Sequence, residues 1–144
     1  MAEFINTVDV LGDDVLTDRI IERSITEYRD DGVTTIGFIA FGYCKQLTYV
    51  DLPSITYFGE NVFLFDSSLV SVVLRNTECV PTAAGNIFAL TPIASGTGYI
   101  YVPRDLVDSY KAATNWSTYA NQFRALEDYT VDGTTTGELD PTKI

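Results

Sequence analysis

"TTIGFIAFGYCKQLTYVDLP" (Thr34 to Pro53) and "ITYFGENVFLFDSSLVSVVL" (Ile55 to Leu74) decide the fold when one is laid over the other. Ile36, Ala40, Phe41, Leu47, Val50 and Leu52 fall on Phe58, Val62, Phe63, Leu69, Val72 and Leu74, each at an offset of 58 − 36 = 22. Neither a helix face nor an alternating strand aligns apolar residues at one constant offset over such a span. Stacked copies of one unit do, because each copy needs its neighbour to cover its hydrophobic edge.

The offset extends in both directions. Ile25 and Tyr28 lie 22 before Leu47 and Val50, so "SITEYRDDGV" closes an earlier unit. Forwards the spacing slips: Val80 is 22 after Phe58, Ile87 and Phe88 are 25 after Val62 and Phe63, and Ile100 and Val102 are 28 after Val72 and Leu74. About six inserted residues therefore belong to loops of the third unit, which is rich in Pro and Gly. "LTYVDL", "LVSVVL" and "GYIYV" alternate apolar and other residues and are rich in β-branched and aromatic types, so they read as short strands. Stacked copies pair these strands side by side and in parallel, with Val50 beside Val72 beside Ile100, while Phe41, Phe63 and Phe88 close the core from the far side.

The ends do not repeat, as a stack that hides its terminal apolar edges requires. "GDDVLTDRIIER" places acids first and arginines last, which suits a helix dipole, and Val15, Leu16, Ile20 and Ile21 give it an apolar side. "RDLVDSYKAATNWSTYANQF" offers Asp105 as an N-cap and then a second short helix from Asn115, with Trp116, Tyr119 and Ala120 inward. The organisation expected is an N-terminal segment with a cap helix (1–23), repeat units (24–103), a two-helix cap (104–128) and an acidic polar tail (129–144). Together these describe an α/β solenoid.

The residues quoted resemble the BspA-type leucine-rich repeat, whose units run approximately "LTSVDLPNVTSIGSYAFSNCSS". Ile36–Gly37, Ala40–Phe41 and Cys44 match in the first full unit. In the second, Phe58–Gly59 and Val62–Phe63 match, and Ser67 stands for the Cys. The closing "YIYVPRDLVDSYKAATNWSTYANQFRALED" is similar to the family's ending, in which "VP" leads into "YK…A…W…Y". The resemblance implies a short leucine-rich-repeat solenoid, a role in protein or host-surface binding, and no catalytic residues. The segment before Ser24 and the tail resemble short repeat proteins of phages and prophages.

Composition narrows the function further. Twenty acidic against nine basic residues give a formal charge of −11, which repels phosphate backbones and anionic lipid, so neither nucleic-acid binding nor membrane insertion is expected. No histidine is present, which removes Ser-His-Asp and Cys-His nucleophilic sites and imidazole-bound zinc. Cys44 and Cys79 read as two small buried side chains without metal-type spacing. Asp13/Asp14 read as a helix start and Asp30/Asp31 as a turn before Gly32, and "SGTGYI" lacks the context of a phosphate loop. No enzyme, metal or cofactor is expected.

What remains is surface. Between the inward residues of the strands stand Glu27, Tyr49, Ser71 and Tyr99 in one row, and Arg29, Asp51, Val73 and Tyr101 in the next. Tyr49, Val73, Tyr99 and Tyr101 form an amphipathic patch of the kind that interfaces favour, although β-propensity alone also selects Tyr and Val there. The tail, "YTVDGTTTG", offers Tyr129 and Val131 as alternate anchors for strand addition to an open sheet edge. The expectation is a structural and interaction protein of a phage or prophage virion, made in a bacterial cytoplasm. Its partners would be copies of itself, other virion proteins, or a host surface protein or glycan. The alternative is an adhesin-like module on a bacterial cell surface that binds a host protein.

Overall fold

A computed structural model describes residues 4–7 and 17–144, with side chains from Ile21 onward. Among the described residues, ten short strands form two sheets. Strands β1 (Phe4–Thr7), β2 (Thr17–Ile21), β4 (Thr35–Ile36), β6 (Tyr57–Phe58) and β8 (Thr82–Ala83) make the first, in the order β2-β1-β4-β6-β8. Strands β3 (Glu27–Arg29), β5 (Tyr49–Asp51), β7 (Ser71–Val73), β9 (Tyr99–Val102) and β10 (Phe123–Ala125) make the second, in the order β10-β9-β7-β5-β3. From β3 to β9 successive strands go alternately to the two sheets, and every strand-to-strand ladder is parallel. Helices are few: α1 (Pro92–Ser95), α2 (Val107–Ala112) and 3-10 turns at Arg104–Leu106, Ser117–Gln122 and Leu126–Asp128.

The register follows the constant offset. Tyr28 pairs with Val50, Val50 with Val72, and Ile36 with Phe58, every pair keeping the spacing of the sequence repeat. Val72 pairs with Ile100, at the longer spacing expected of the third unit. The expected neighbour of Phe58 is corrected: Ala83, not Val80, lies beside it, so the spacing in the first sheet has already grown to 83 − 58 = 25 by β8. Half of the inserted residues therefore precede β8, in the turn where Asn76 Oδ1 accepts from the N–H groups of Glu78 and Cys79. The remainder follow Phe88, where Thr91 caps the single turn of α1 through Ala94 N–H.

Between the sheets lies one dry core. Ile36, Phe41, Leu47, Val50, Leu52, Phe58, Phe63, Leu69, Val72, Phe88 and Ile100 are fully buried. Phe41, Phe63 and Phe88 stack in a column with centroids 5.3 and 5.4 Å apart, the second pair nearly coplanar at 4°. Burial of each ring against copies of itself keeps the column free of water and fixes the spacing of the turns that carry it.

Main-chain bonds tie each of those turns to the next: Phe41 N–H donates to Val62 O and Phe63 N–H to Ile87 O, both at 2.9 Å. Two positions in each turn take left-handed backbone. Ile39, Asn61 and Asn86 form one set (φ 52, 57 and 49) and Tyr43, Phe65 and Leu90 the other (φ 61, 65 and 60). Asn tolerates this region, whereas a β-branched side chain is strained there, so Ile39 is the poorest fit.

The two ends differ from expectation. At the front, Thr17–Ile21 forms strand β2 beside β1 rather than part of a helix. Thr17, Ile20 and Ile21 are β-branched, and the first sheet offers an open ladder that outweighs the charge pattern of a helix. Val15 and Leu16 lie outside the described residues. At the back, Trp116 is 1% exposed and donates through Nε1 to Pro81 O at 2.7 Å. It packs edge-on against Phe58 and Tyr110. Asp105 sits inside a 3-10 turn and makes no cap. Phe123–Ala125, expected within the helical cap, adds to the second sheet as β10. Cys44 is buried as expected, but Cys79 is exposed, and both are free thiols.

Candidate functional site

Side chains on the outer face of the second sheet follow from strand alternation. With Tyr28, Val50, Val72 and Ile100 turned to the core, Tyr49, Ser71 and Tyr99 line up in one row, and Arg29, Asp51, Val73 and Tyr101 in the next. Tyr49 and Tyr99 are half-buried and each lies beneath an arginine. The Arg29 guanidinium is 4.6 Å from the Tyr49 ring centre, and that of Arg124 is 4.4 Å from Tyr99. Such stacking neutralises neither partner and leaves the guanidinium edges able to donate.

Two residues of the second row are covered. Val73 is fully buried and Tyr101 is 3% exposed, so both depart from the open patch expected of them. The cover is the chain's own C-terminal segment. Val73, Tyr101 and Leu126 make a second, smaller apolar cluster, with Tyr49, Tyr99, Tyr129 and Leu139 packed against it. The Tyr129 ring meets Tyr101 edge-on at 5.1 Å.

The tail doubles back on itself through an antiparallel bridge between Thr130 and Leu139, with Val131 N–H donating to Glu138 O and Asp140 N–H to Tyr129 O. Among the described residues it adds to no sheet edge, contrary to the strand-addition expectation; it lies on a sheet face. Its Thr-rich polar sequence satisfies its own groups locally, as in Asp132 and Asp140, whose carboxylates accept from Thr134 and Thr142. Those bonds hold both carboxyls below the usual Asp range. Val131 points outward and is 71% exposed.

Arg75 fastens the tail. Its Nε and Nη2 donate to the Asp51 carboxylate at 3.0–3.1 Å, and its Nη1 donates to the carbonyl oxygens of Thr135 (2.7 Å) and Gly137 (2.9 Å). Asp51, only 4% exposed, also accepts from Tyr49 OH (3.2 Å) and faces Arg29 at 3.4 Å. A buried carboxylate is tolerated when several charged or polar donors converge on it, as here. Burial, and then the neighbouring Asp51 charge, push the Tyr49 phenol up to about 12, so it remains a neutral donor. Beside this clamp opens a cleft of about 480 Å³ lined by Arg29, Asp31, Asp51, Pro53, Arg75, Thr136 and Glu138. The half-exposed Arg29 guanidinium is the group within it that is open to a new acceptor.

Arg75 and Leu126 are not among the site residues expected from the sequence. A signal for Arg75 exists: it continues the alternation from Ser71 and Val73 along the same outer face. Leu126 carries no such signal, because its position depends on β10, a strand that the sequence pattern does not announce.

A second surface lies on the turns. Tyr43, Phe65 and Leu90 are 43%, 40% and 61% exposed and stand in register, tied by Tyr43 N–H to Leu64 O and Phe65 N–H to Ala89 O. The rings of Tyr43 and Phe65 stack at 5.6 Å, with Arg23 over Tyr43 at 5.7 Å and Lys45 over Phe65 at 5.5 Å.

Inside the same turns, Asp66 takes the place one repeat after Cys44; Ser67, expected there, is exposed. Asp66 is fully buried, its Oδ1 accepts from Cys44 N–H at 2.7 Å, and its Oδ2 has no protein partner. Burial pushes its carboxyl up to about 9 and the Cys44 thiol up to about 12, so both are neutral at pH 7.

Among the described residues, no group of three or more His, Cys, Asp or Glu side chains is placed to hold a metal ion, and no helix is long and apolar enough to cross a membrane. No family model and no curated relative matches the chain.

Proposed function

We propose that this chain is a short BspA-type leucine-rich-repeat solenoid that acts as a non-enzymatic structural and interaction protein of a phage or prophage virion. Support for the repeat comes from strand partners 22 residues apart between β4 and β6 in one sheet and between β5 and β7 in the other, and from the Phe41–Phe63–Phe88 column, the disposition that stacked units require. The interaction reading is carried by the outer face of the second sheet. Tyr49 and Tyr99, each under an arginine, stand on that face, Tyr49 donating to Asp51 at the cleft, while Val73, Tyr101 and Tyr129 fix the tail that forms its wall. Tyrosine and arginine in such rows are among the residues that protein interfaces use most. Place in a virion rests on the resemblance of the chain's ends to phage and prophage repeat proteins.

The test is fractionation of induced phage particles on a density gradient, followed by peptide mass spectrometry. Peptides of this chain should band with the capsid and tail proteins in constant ratio. Recovery of the chain solely from the cell envelope would contradict the virion assignment.

A further inference from the structure

The Tyr43–Phe65–Leu90 ladder is an exposed apolar strip that the backbone holds outward. All three residues sit in left-handed conformation (φ 61, 65 and 60), and all three keep more than a third of their surface in water. Chains with L side chains enter that region at a cost, and an aromatic or Leu gains nothing there that Asn or Gly would not gain more easily. The two ladder rings stack on each other, so the strip presents ring edges and the Leu90 methyls rather than open faces. In a chain of net −11, Arg23 and Lys45 lie over the ladder rings.

The tail tip has the complementary character. Val131, the most exposed large apolar side chain among the described residues, stands at 71%, beside the exposed and ionised Asp132 and within a hairpin that also carries Glu138. Within one chain Arg75 pins this hairpin over the outer face of the second sheet, whereas the ladder occupies the turns that run from the first sheet to the second. We propose that the tail tip of one copy docks on the ladder of the next, Val131 against Phe65 and Leu90, with Asp132 and Glu138 toward Lys45. The contact is heterologous: each copy offers one ladder and one tip, so copies add head to tail into a ring or a filament. Attraction between Lys45 and an acidic tip also gives a specific contact between molecules whose net charges repel.

This inference deepens the assembly reading and rests on it for its purpose, but its test needs only the isolated full chain. Absence from particles would therefore sink the virion assignment alone, and a purely monomeric protein would sink this contact alone. Light scattering with size exclusion should show wild-type mass rising with concentration and falling with added salt. Val131→Asp removes the tip, Phe65→Ser with Leu90→Ser removes the ladder, and each variant alone should stay monomeric. Their mixture keeps one intact contact and should form a one-to-one dimer that grows no further. Lys45→Glu, which leaves every ring in place, should weaken association and so guards against misfolding of the ladder variant. The proposal is overturned if wild type is monomeric at its highest soluble concentration. It is equally overturned if the tip variant associates as wild type does, or if the mixture stays monomeric.

Discussion

Replacing Phe63 by Ala tests the stacked core at its centre. Phe63 is fully buried between Phe41 (5.3 Å) and Phe88 (5.4 Å), with Phe58 at 6.1 Å. Core Phe to Ala changes cost about 3–5 kcal/mol, and each aromatic pair adds about 0.5–1.5 kcal/mol beyond area burial. Because the rings on either side are themselves pinned by main-chain bonds from their turns, the hole cannot collapse, so the loss belongs at about 4–5 kcal/mol. With a urea m-value of about 2 kcal/mol/M, the midpoint should fall by about 2 M. Phe65→Ala supplies the control. Phe65 stacks on Tyr43 at a similar 5.6 Å, but in water, and its loss should cost under about 1 kcal/mol. The measurement is urea denaturation followed by circular dichroism and by Trp116 fluorescence, with coincident transitions required. Equal midpoint shifts for the two variants would refute the assignment of inward and outward positions in the turns.

Asp66→Asn should make the protein more stable at pH 7 and flatten its pH dependence. The folded carboxyl ionises near 9 and the unfolded one near 4. The protonated form is therefore favoured by folding, its stability is complete below pH 4, and it is lost as pH rises toward 9 at up to about 1.4 kcal/mol per unit. Thermal melts of both proteins from pH 4 to 9 read this directly, and parallel curves would contradict it. Ile39→Asn places at that position the residue already found at Asn61 and Asn86 in the same backbone, and should raise stability by about 1 kcal/mol, seen as a higher melting temperature. Arg75→Ala leaves the nearly buried Asp51 with Arg29 as its one cation among the described residues and frees Thr135 and Gly137 O. It should cost toward the low end of about 3–5 kcal/mol, and amide exchange should rise at Val131 and Asp140, which the tail's own main-chain bonds protect.

How far the fold can be read from the residues depends on how far the offset of 22 holds. The six pairs at offset 22 carry the inward rows of both sheets, because a residue buried in one turn must meet a residue buried in the next. Where the offset changes, apolar matching fails: Val80 and Ala83 are both small enough and apolar enough to sit beside Phe58, and the main-chain ladder, invisible in a sequence, chooses Ala83. At the front, acids before arginines signal a helix. The β-branched Thr17, Ile20 and Ile21 instead complete an edge that the first sheet leaves open. The outer face is legible as rows but not as a site. Strand alternation puts Tyr49, Val73, Tyr99 and Tyr101 on one side, yet which of them stay in water depends on a tail folded back from Tyr129 onward. A segment so polar is held by the Arg75 guanidinium on two of its carbonyl oxygens and by Tyr129 and Leu139 on the sheet face, and of these only the place of Arg75 on the outer face is signalled in the sequence. The ladder of Tyr43 and Phe65 is within reach, since it obeys the same offset of 22.

The parallel register is the claim on which the rest stands, and hydrogen-bond scalar couplings measured by NMR on labelled protein test it most directly. They should connect the N–H of Leu52 with the carbonyl of Val73, Leu74 with Tyr101, Phe41 with Val62 and Phe63 with Ile87. Couplings from these four amides to sequence-near or antiparallel partners would contradict the two-sheet account.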